Sequence, residues 1–253
     1  MELRGRAVLV TGATGGLGRA VAARLRAEGA LLTLTAQQGD VLQPLAGELE
    51  AQAIVADLAQ RDDLERVVDA CADVDVLVVN GGLPGTGELV DYSVDELDHV
   101  LDVNLRVPLL LTRLLGAAML KRGDGHVVFV SSLSGKTAGT ETSLANATRF
   151  GLRGFALGLR QDWGPLGVGV SCVNPGPIGD LEPANGAALP AGFRPKVPDD
   201  VAAAVVRAIR GNKAEIDVAD PVRRAGVVFG QVAPQIAARL NRFADTEGAT
   251  DKR

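Results

Sequence analysis

The sequence predicts an α/β fold, a single domain built on a doubly wound sheet of about seven mostly parallel strands. Three observations point there. Short apolar runs alternate with longer amphipathic ones along the 253 residues, the signature of repeated βαβ units. Several short runs, VLVVN and HVVFV among them, are apolar nearly throughout, as strands covered on both faces must be. A glycine-rich segment, TGATGGLG, stands between the first apolar run and the first amphipathic one.

Taken in chain order, the apolar runs place strands at 7–10, 31–35, 53–55, 76–79, 127–130, 169–173 and 216–218. The amphipathic runs between them place helices at 17–28, 41–49, 62–70, 94–119, 143–162 and 199–210. Ser93 followed by Glu96 reads as a capping box opening the long fourth helix. The stretch 176–198 is rich in Gly, Pro and Ala without a period, and is expected to be a mobile loop rather than a domain linker. The apolar segment 221–242 is expected to be helical, and the tail 245–253 to fray. One domain over 1–244 is the resulting reading.

Composition excludes several function classes. The chain is 47% hydrophobic and 23% charged, which fits a globular protein and not a disordered one. A net charge of −5 offers nothing to neutralise a phosphate backbone, so nucleic acid is not an expected partner. Aromatic residues make up 3%, with one Tyr and one Trp, too few for a base-stacking platform. No uninterrupted apolar window approaches ~18 residues, so no membrane span is expected. Cys71 and Cys172 lie far apart with no CxxC or Cys/His cluster. No metal site is expected, and a reduced cytoplasmic protein is the default.

The glycine segment carries the first chemistry. Gly12 permits a tight turn, Gly16 lets the backbone approach a pyrophosphate, and Gly18 allows close packing of helix on strand. The helix N-terminus then offers free N–H groups to phosphates. The bland reading is a tight strand-to-helix turn and no more. The other candidates have bland readings too. Asp57 can hold a turn, Asn80 can cap a strand end, Asn104 can satisfy a bend in a long helix, and Ser131 and Ser132 are ordinary at a strand exit. His99 and His126 match no functional position.

The order of these motifs resembles the short-chain dehydrogenase/reductase superfamily over nearly the whole chain. TGxxxGxG is followed by Asp57 in VADL, Asn80-Gly81-Gly82, Asn104 in VNL, Ser132 in SSLSG and Asn174-Pro175-Gly176. The resemblance implies a Rossmann-like sheet and an NAD or NADP cofactor. It implies cofactor contacts from Gly12, Thr14, Gly16, Leu17, Gly18, Asp57, Leu58, Asn80, Gly81, Gly82, Pro175, Gly176 and Ile178. It assigns the active site to Asn104, Ser132 and the positions of the family's YxxxK motif. Gly151, Leu152, Gly154 and Phe155 supply the frame of that helix, and within it Ala145 falls at the tyrosine position and Arg149 at the lysine position.

Both halves of the motif are therefore changed. The family's tyrosine trades a proton with the substrate oxygen, a task an alanine methyl cannot perform. Arg149 can still meet ribose hydroxyls, but a guanidinium does not act as a base. Tyr92 has no evident route into the site. Replacement acids would have to come from Glu141, Asp180, Lys136 or water. Ala36, Gln37 and Gly15 provide neither an acid for a ribose 2′-hydroxyl nor a base for a 2′-phosphate, which leaves NAD against NADP open. Three readings remain at this point: an oxidoreductase with an impaired or atypical proton relay, a redox-inactive scaffold with a non-redox or partner-subunit role, or an engineered inactive variant of an ordinary dehydrogenase. The expected substrate is a small, mostly apolar molecule. The expected assembly is a homo-oligomer on the fourth and fifth helices, or a hetero-oligomer with an active paralogue.

Overall fold

A computed structural model of the chain describes residues 1–179, 196–233 and 235–236. Its strands are β1 (Ala7–Thr11), β2 (Leu31–Ala36), β3 (Gln52–Val55), β4 (Val76–Val79), β5 (Gly125–Val130), β6 (Val168–Pro175) and β7 (Glu215–Val218). They form one seven-stranded sheet in the order β3-β2-β1-β4-β5-β6-β7, with every neighbouring pair parallel. The helices are α1 (Gly16–Ala27), α2 (Gly39–Glu48), α3 (Arg61–Ala70), α4 (Val94–Leu101), α5 (Val107–Arg122), α6 (Ser143–Trp163), α7 (Pro198–Gly211) and α8 (Pro221–Val232). The doubly wound architecture expected from the sequence is the one observed. Of the expected loop only 176–179 and 196–198 are described; the rest of it, Asp180, and the expected tail lie outside the described residues.

Alternation along β1 shows how the sheet is covered. Val8 and Val10 join the cluster that contains Val21, Leu25, Val205 and Ile209 of α1 and α7. Leu9 joins the opposite cluster, with Leu111, Leu115 and Met119 of α5 and Leu152 of α6. A strand with both faces buried leaves no side for polar groups, which is why β1 is apolar from Ala7 to Val10, up to the Thr11 that ends it.

The chain winds outward from β1 to β3, then returns to β4 on the other side of β1. Loops leaving β1 and β4 therefore part in opposite directions and leave a crevice at the carboxyl edge of the sheet. The sequence motifs collect there.

The fourth helix differs from its expected form. In place of one helix over 94–119, a π-turn at Asp102–Arg106 separates α4 from α5. Pro108 explains the interruption. It lacks the N–H that would bond the carbonyl of Asn104, and its ring crowds that carbonyl; a π-turn absorbs the misfit. The span Val94–Arg122 is long and apolar enough to cross a membrane by length and composition. Its burial of Leu111, Leu115 and Met119 against the sheet accounts for that apolarity. The capping box is present, with Ser93 Oγ accepting from Glu96 N at 3.3 Å and Glu96 accepting from Ser93 N at 2.8 Å. His126 is buried in β5, where its Nε2 lies 2.8 Å from Ser171 Oγ. Burial pulls its pKa down to about 3, so at neutral pH it is an uncharged packing residue.

Candidate active site

The glycine turn is shaped by what surrounds it. Gly12 has φ +57°, and a Cβ there would stand 2.6 Å from Asn80 O. A Cβ on Gly18 would overlap Gly12 O and crowd Ala13. Both positions require glycine, one for conformation and approach, the other for close packing of α1 on the turn. Gly16 opens α1 and Leu17 packs against the core. No acidic residue occupies the first turn of α1, so its positive end faces the crevice uncompensated.

Asn80 locks this turn to the end of β4. Its Nδ2 donates to Gly12 O at 3.1 Å and to Thr11 O at 3.3 Å. Thr11 Oγ1 accepts from Asn80 N at 3.0 Å and donates to Asn80 O at 2.8 Å. Asn80 is therefore a clasp that exposes Gly81 and Gly82 as an open floor. Asp57 bends the exit of β3, accepting from Ala59 N at 3.0 Å. Its own N–H donates to Asp63 at 2.7 Å. Hydrogen bonds from Arg66 and from that N–H hold the Asp63 carboxyl below its ordinary range. Asp63 was missed in the sequence; its place in the first turn of α3 was the available signal.

These elements enclose a cleft of about 210 Å³ lined by, among others, Thr14, Ala36, Asp57, Leu58, Gly81 and Pro108. Thr14 Oγ1 donates to Gln38 Oε1 at 3.1 Å, bridging the glycine turn to the end of β2. Thr35 Oγ1 lines the cleft buried and, among the described residues, without a hydrogen-bond partner. A narrow cleft with glycine floors, a free helix N-terminus and one orphan hydroxyl fits a dinucleotide.

The opposite end is built on α6 and the π-turn. Asn104 is 2% exposed. Its Oδ1 accepts from Leu83 N at 2.7 Å and its Nδ2 donates to Leu83 O at 2.9 Å. It thus serves the bend and orients the loop after Gly82 at once. Ser132 starts a 3₁₀ turn, its Oγ accepting from Ser134 N at 3.2 Å. That turn rests on α6, since a Cβ on Gly135 would stand 2.8 Å from Arg149 O. Ala145 lies one helical turn before Arg149, on the same face. Its N–H donates to Gly85 O at 2.9 Å, and Gly87 N donates to Glu141 O at 2.7 Å. Residues 83–87 are thereby strapped across the start of α6. Tyr92 belongs to this strap, its hydroxyl donating to Thr86 O at 2.9 Å. Gly176 N donates to Val218 O at 3.0 Å, and Gly176 packs near Leu133. Pro175 closes β6, and the side chain of Ile178 is buried in the core.

One expectation needs correction. Lys136 is no spare proton donor: its side chain is 8% exposed, with Nζ 2.7 Å from Asp217 and 3.4 Å from Glu215. Arg153 binds Glu215 with two hydrogen bonds, at 2.7 and 3.0 Å, and Asn174 Nδ2 donates to Asp217 at 3.0 Å. Burial alone would raise Glu215, but the Arg153 hydrogen bond and Lys136 hold its carboxyl below the usual range. This network pins the Ser132 turn and α6 to β7. Glu141 is exposed, with a left-handed backbone at φ +52°.

Comparison with known proteins decides the family. The short chain dehydrogenase family model matches residues 6–181. The chain belongs to the short-chain dehydrogenase family. Nodulation protein G of Rhizobium sp. (strain N33) is 37% identical over 181 residues, covering 69% of this chain and 74% of that protein. Ketoacyl reductase HetN of Nostoc sp. (strain PCC 7120) is 29% identical and covers 99% of this chain and 93% of its own length. Among solved structures, a blue fluorescent protein from a metagenomic library in complex with NADPH superposes with a TM-score of 0.78 at 29% identity, covering 87% of this chain and 98% of that one.

Proposed function

We propose that the chain binds NAD or NADP in this cleft and that its redox turnover of neutral alcohols and ketones is impaired because the family's proton relay is missing. The observation that carries the reading is Ala145, a methyl group where the family's motif assigns a phenol, one turn before Arg149. Gly12, Thr14, Gly16, Leu17 and Gly18 would hold the pyrophosphate, Asp57 and Leu58 the adenine, and Gly81, Gly82, Pro175, Gly176 and Ile178 the remainder. The nicotinamide, when bound, supplies or accepts hydride. The NADPH complex of the blue fluorescent protein supports this assignment, and the kinship with a ketoacyl reductase supports a small carbonyl compound as the substrate class.

What the chain's own residues do follows from their chemistry. Ser132 can hydrogen-bond a substrate oxygen, but with no neighbouring base among the described residues it transfers a proton poorly. Arg149 can orient and polarise, yet not take up a proton. Lys136 is held by two carboxylates. A redox-silent binding subunit is the second reading, favoured by the strap of 83–87 hydrogen-bonded across Ala145. Self-association through α5 and α6 belongs to the same proposal and rests on the resemblance alone.

Calorimetric titration with NAD⁺, NADH, NADP⁺ and NADPH tests the reading. Binding of at least one is expected; binding of none overturns the cofactor assignment.

A further inference from the structure

Arg149 differs from the other basic residues around it. Lys136 and Arg153, its neighbours on the 3₁₀ turn and on α6, share Glu215 and Asp217 between them. Two positive side chains meet two negative ones, and that account is closed. Arg149 has no carboxylate, hydrogen bond or ion pair among the described residues. Its guanidinium lies against Gly82, which lines the cleft: a Cβ on Gly82 would stand 2.8 Å from its Nη2 and 2.7 Å from Asn104 Oδ1. Burial pulls its pKa down. The one group acting the other way is Cys172, which burial pushes up to about 12 and so keeps neutral at pH 7.

A partly buried guanidinium without a counter-ion is costly, and an anionic ligand removes that cost. The donors nearby suit such a ligand. The Arg149 fork presents parallel N–H groups that match a planar carboxylate. The Ser132 oxygen already accepts from Ser134 N, which leaves its O–H to donate. Ala145 brings neither an acceptor nor an acid. With Arg149 supplying the charge and the neighbouring Asn104 Oδ1 already taken up by Leu83 N, the site fits a monoanion better than a neutral ketone awaiting a proton.

We infer that the Gly82–Arg149 end of the cleft binds the carboxylate of a small organic acid, with Arg149 as its counter-ion and Ser132 as a second donor. This deepens the proposed function, resting on it only for the place of the ligand beside the cofactor.

The test titrates the full chain, in chloride-free buffer of low ionic strength, with acetate against acetamide and benzoate against benzamide. Each pair is measured with and without saturating dinucleotide. At least one carboxylate should bind about tenfold or more tighter than its amide, which corresponds to ~1.4 kcal/mol. Arg149→Gln should abolish that preference, and Arg149→Lys, which keeps the charge but loses the fork, should retain part of it. Melting curves establish that the variants fold. A benzoate soak of the unmodified protein needs no variant, and should place the carboxylate in hydrogen-bond contact with Arg149. Equal affinity for carboxylate and amide, an undiminished preference in Arg149→Gln, or benzoate bound away from Arg149 each overturns the inference. Dinucleotide binding without carboxylate preference refutes the anion site and leaves the cofactor reading intact. Arg149-dependent carboxylate binding without any dinucleotide binding does the reverse.

Discussion

The two ends of the cleft are held together by different means. At the glycine end uncharged groups do the holding: the Thr11 hydroxyl and the Asn80 carboxamide bond each other's main chains across β1 and β4, and Gly12 and Gly18 admit contacts that any side chain would block. At the α6 end the geometry depends on side-chain charge. Lys136, Arg153, Glu215 and Asp217 anchor the Ser132 turn and α6 to β7, and Arg149 is left over. We propose that a site shaped by main-chain approach and an uncharged clasp keeps dinucleotide binding when the side chains around it change. In the same proposal, chemistry that the resemblance places in two side chains is lost where Ala145 and Arg149 stand in their positions. Binding and turnover can therefore part company within one cleft.

The comparison breaks most visibly at Gly18. Gly18→Ala should destabilise the fold by about 3 kcal/mol through overpacking against the Gly12 carbonyl, and should abolish dinucleotide binding. Calorimetry and thermal unfolding check both effects; a well-folded variant with unchanged affinity would show that the glycine end is not built on close approach.

The α6 end should fail differently. Lys136→Met removes the cation beside Asp217, leaving that partly buried carboxylate to Asn174 and Glu215 to Arg153 alone, and should cost about 3 kcal/mol, the low side for a broken buried pair. Dinucleotide affinity should change little. The pH dependence follows from Glu215, whose folded-state pKa is lowered. Its stabilisation is fully present above the unfolded-state carboxylate pKa and is lost as pH falls through the lower folded value. Unfolding by denaturant across the acid range should show this slope in the parent and a weaker one in Lys136→Met. A smaller effect sharpens cofactor choice at the glycine end. Ala36→Asp should shift preference toward NAD by about tenfold, since a carboxylate accepts from the 2′-hydroxyl and repels a 2′-phosphate. Competitive titration of NAD⁺ and NADP⁺ reads it directly.

Much of this architecture was legible in the sequence because it rests on local pattern. Unbroken runs such as VLVV marked strands buried on both faces, and the glycine spacing marked the turn at the end of β1. A bend at Asn104 was legible as one use of that residue, but the helix over 94–119 was drawn unbroken, although Pro108 signalled the interruption through its missing N–H. The charged network was not legible at all. Lys136, Arg153 and the acids of β7 are far apart in sequence, and only the sheet order that sets β6 beside β7 brings them together. Lys136 consequently looked like a free catalytic candidate when burial and two carboxylates had already committed it. The unpaired state of Arg149 was hidden for the same reason, since its neighbours' partners had to be known first.

The central claim, that binding is kept while the proton relay is lost, is tested most directly by a double-mutant cycle on turnover. The unmodified chain, Ala145→Tyr, Arg149→Lys and the double variant are each assayed on a panel of alcohols, ketones and oxo acids by absorbance of the reduced nicotinamide, with dinucleotide binding confirmed for all four. The unmodified chain should be nearly silent and the double variant should gain ~10²-fold or more. Either single change should gain far less, because a tyrosine without the nearby ammonium keeps a pKa near ~10 and groups acting as a unit are not additive. Robust turnover by the unmodified chain, or a double variant that binds cofactor and stays silent across the panel, would contradict the account.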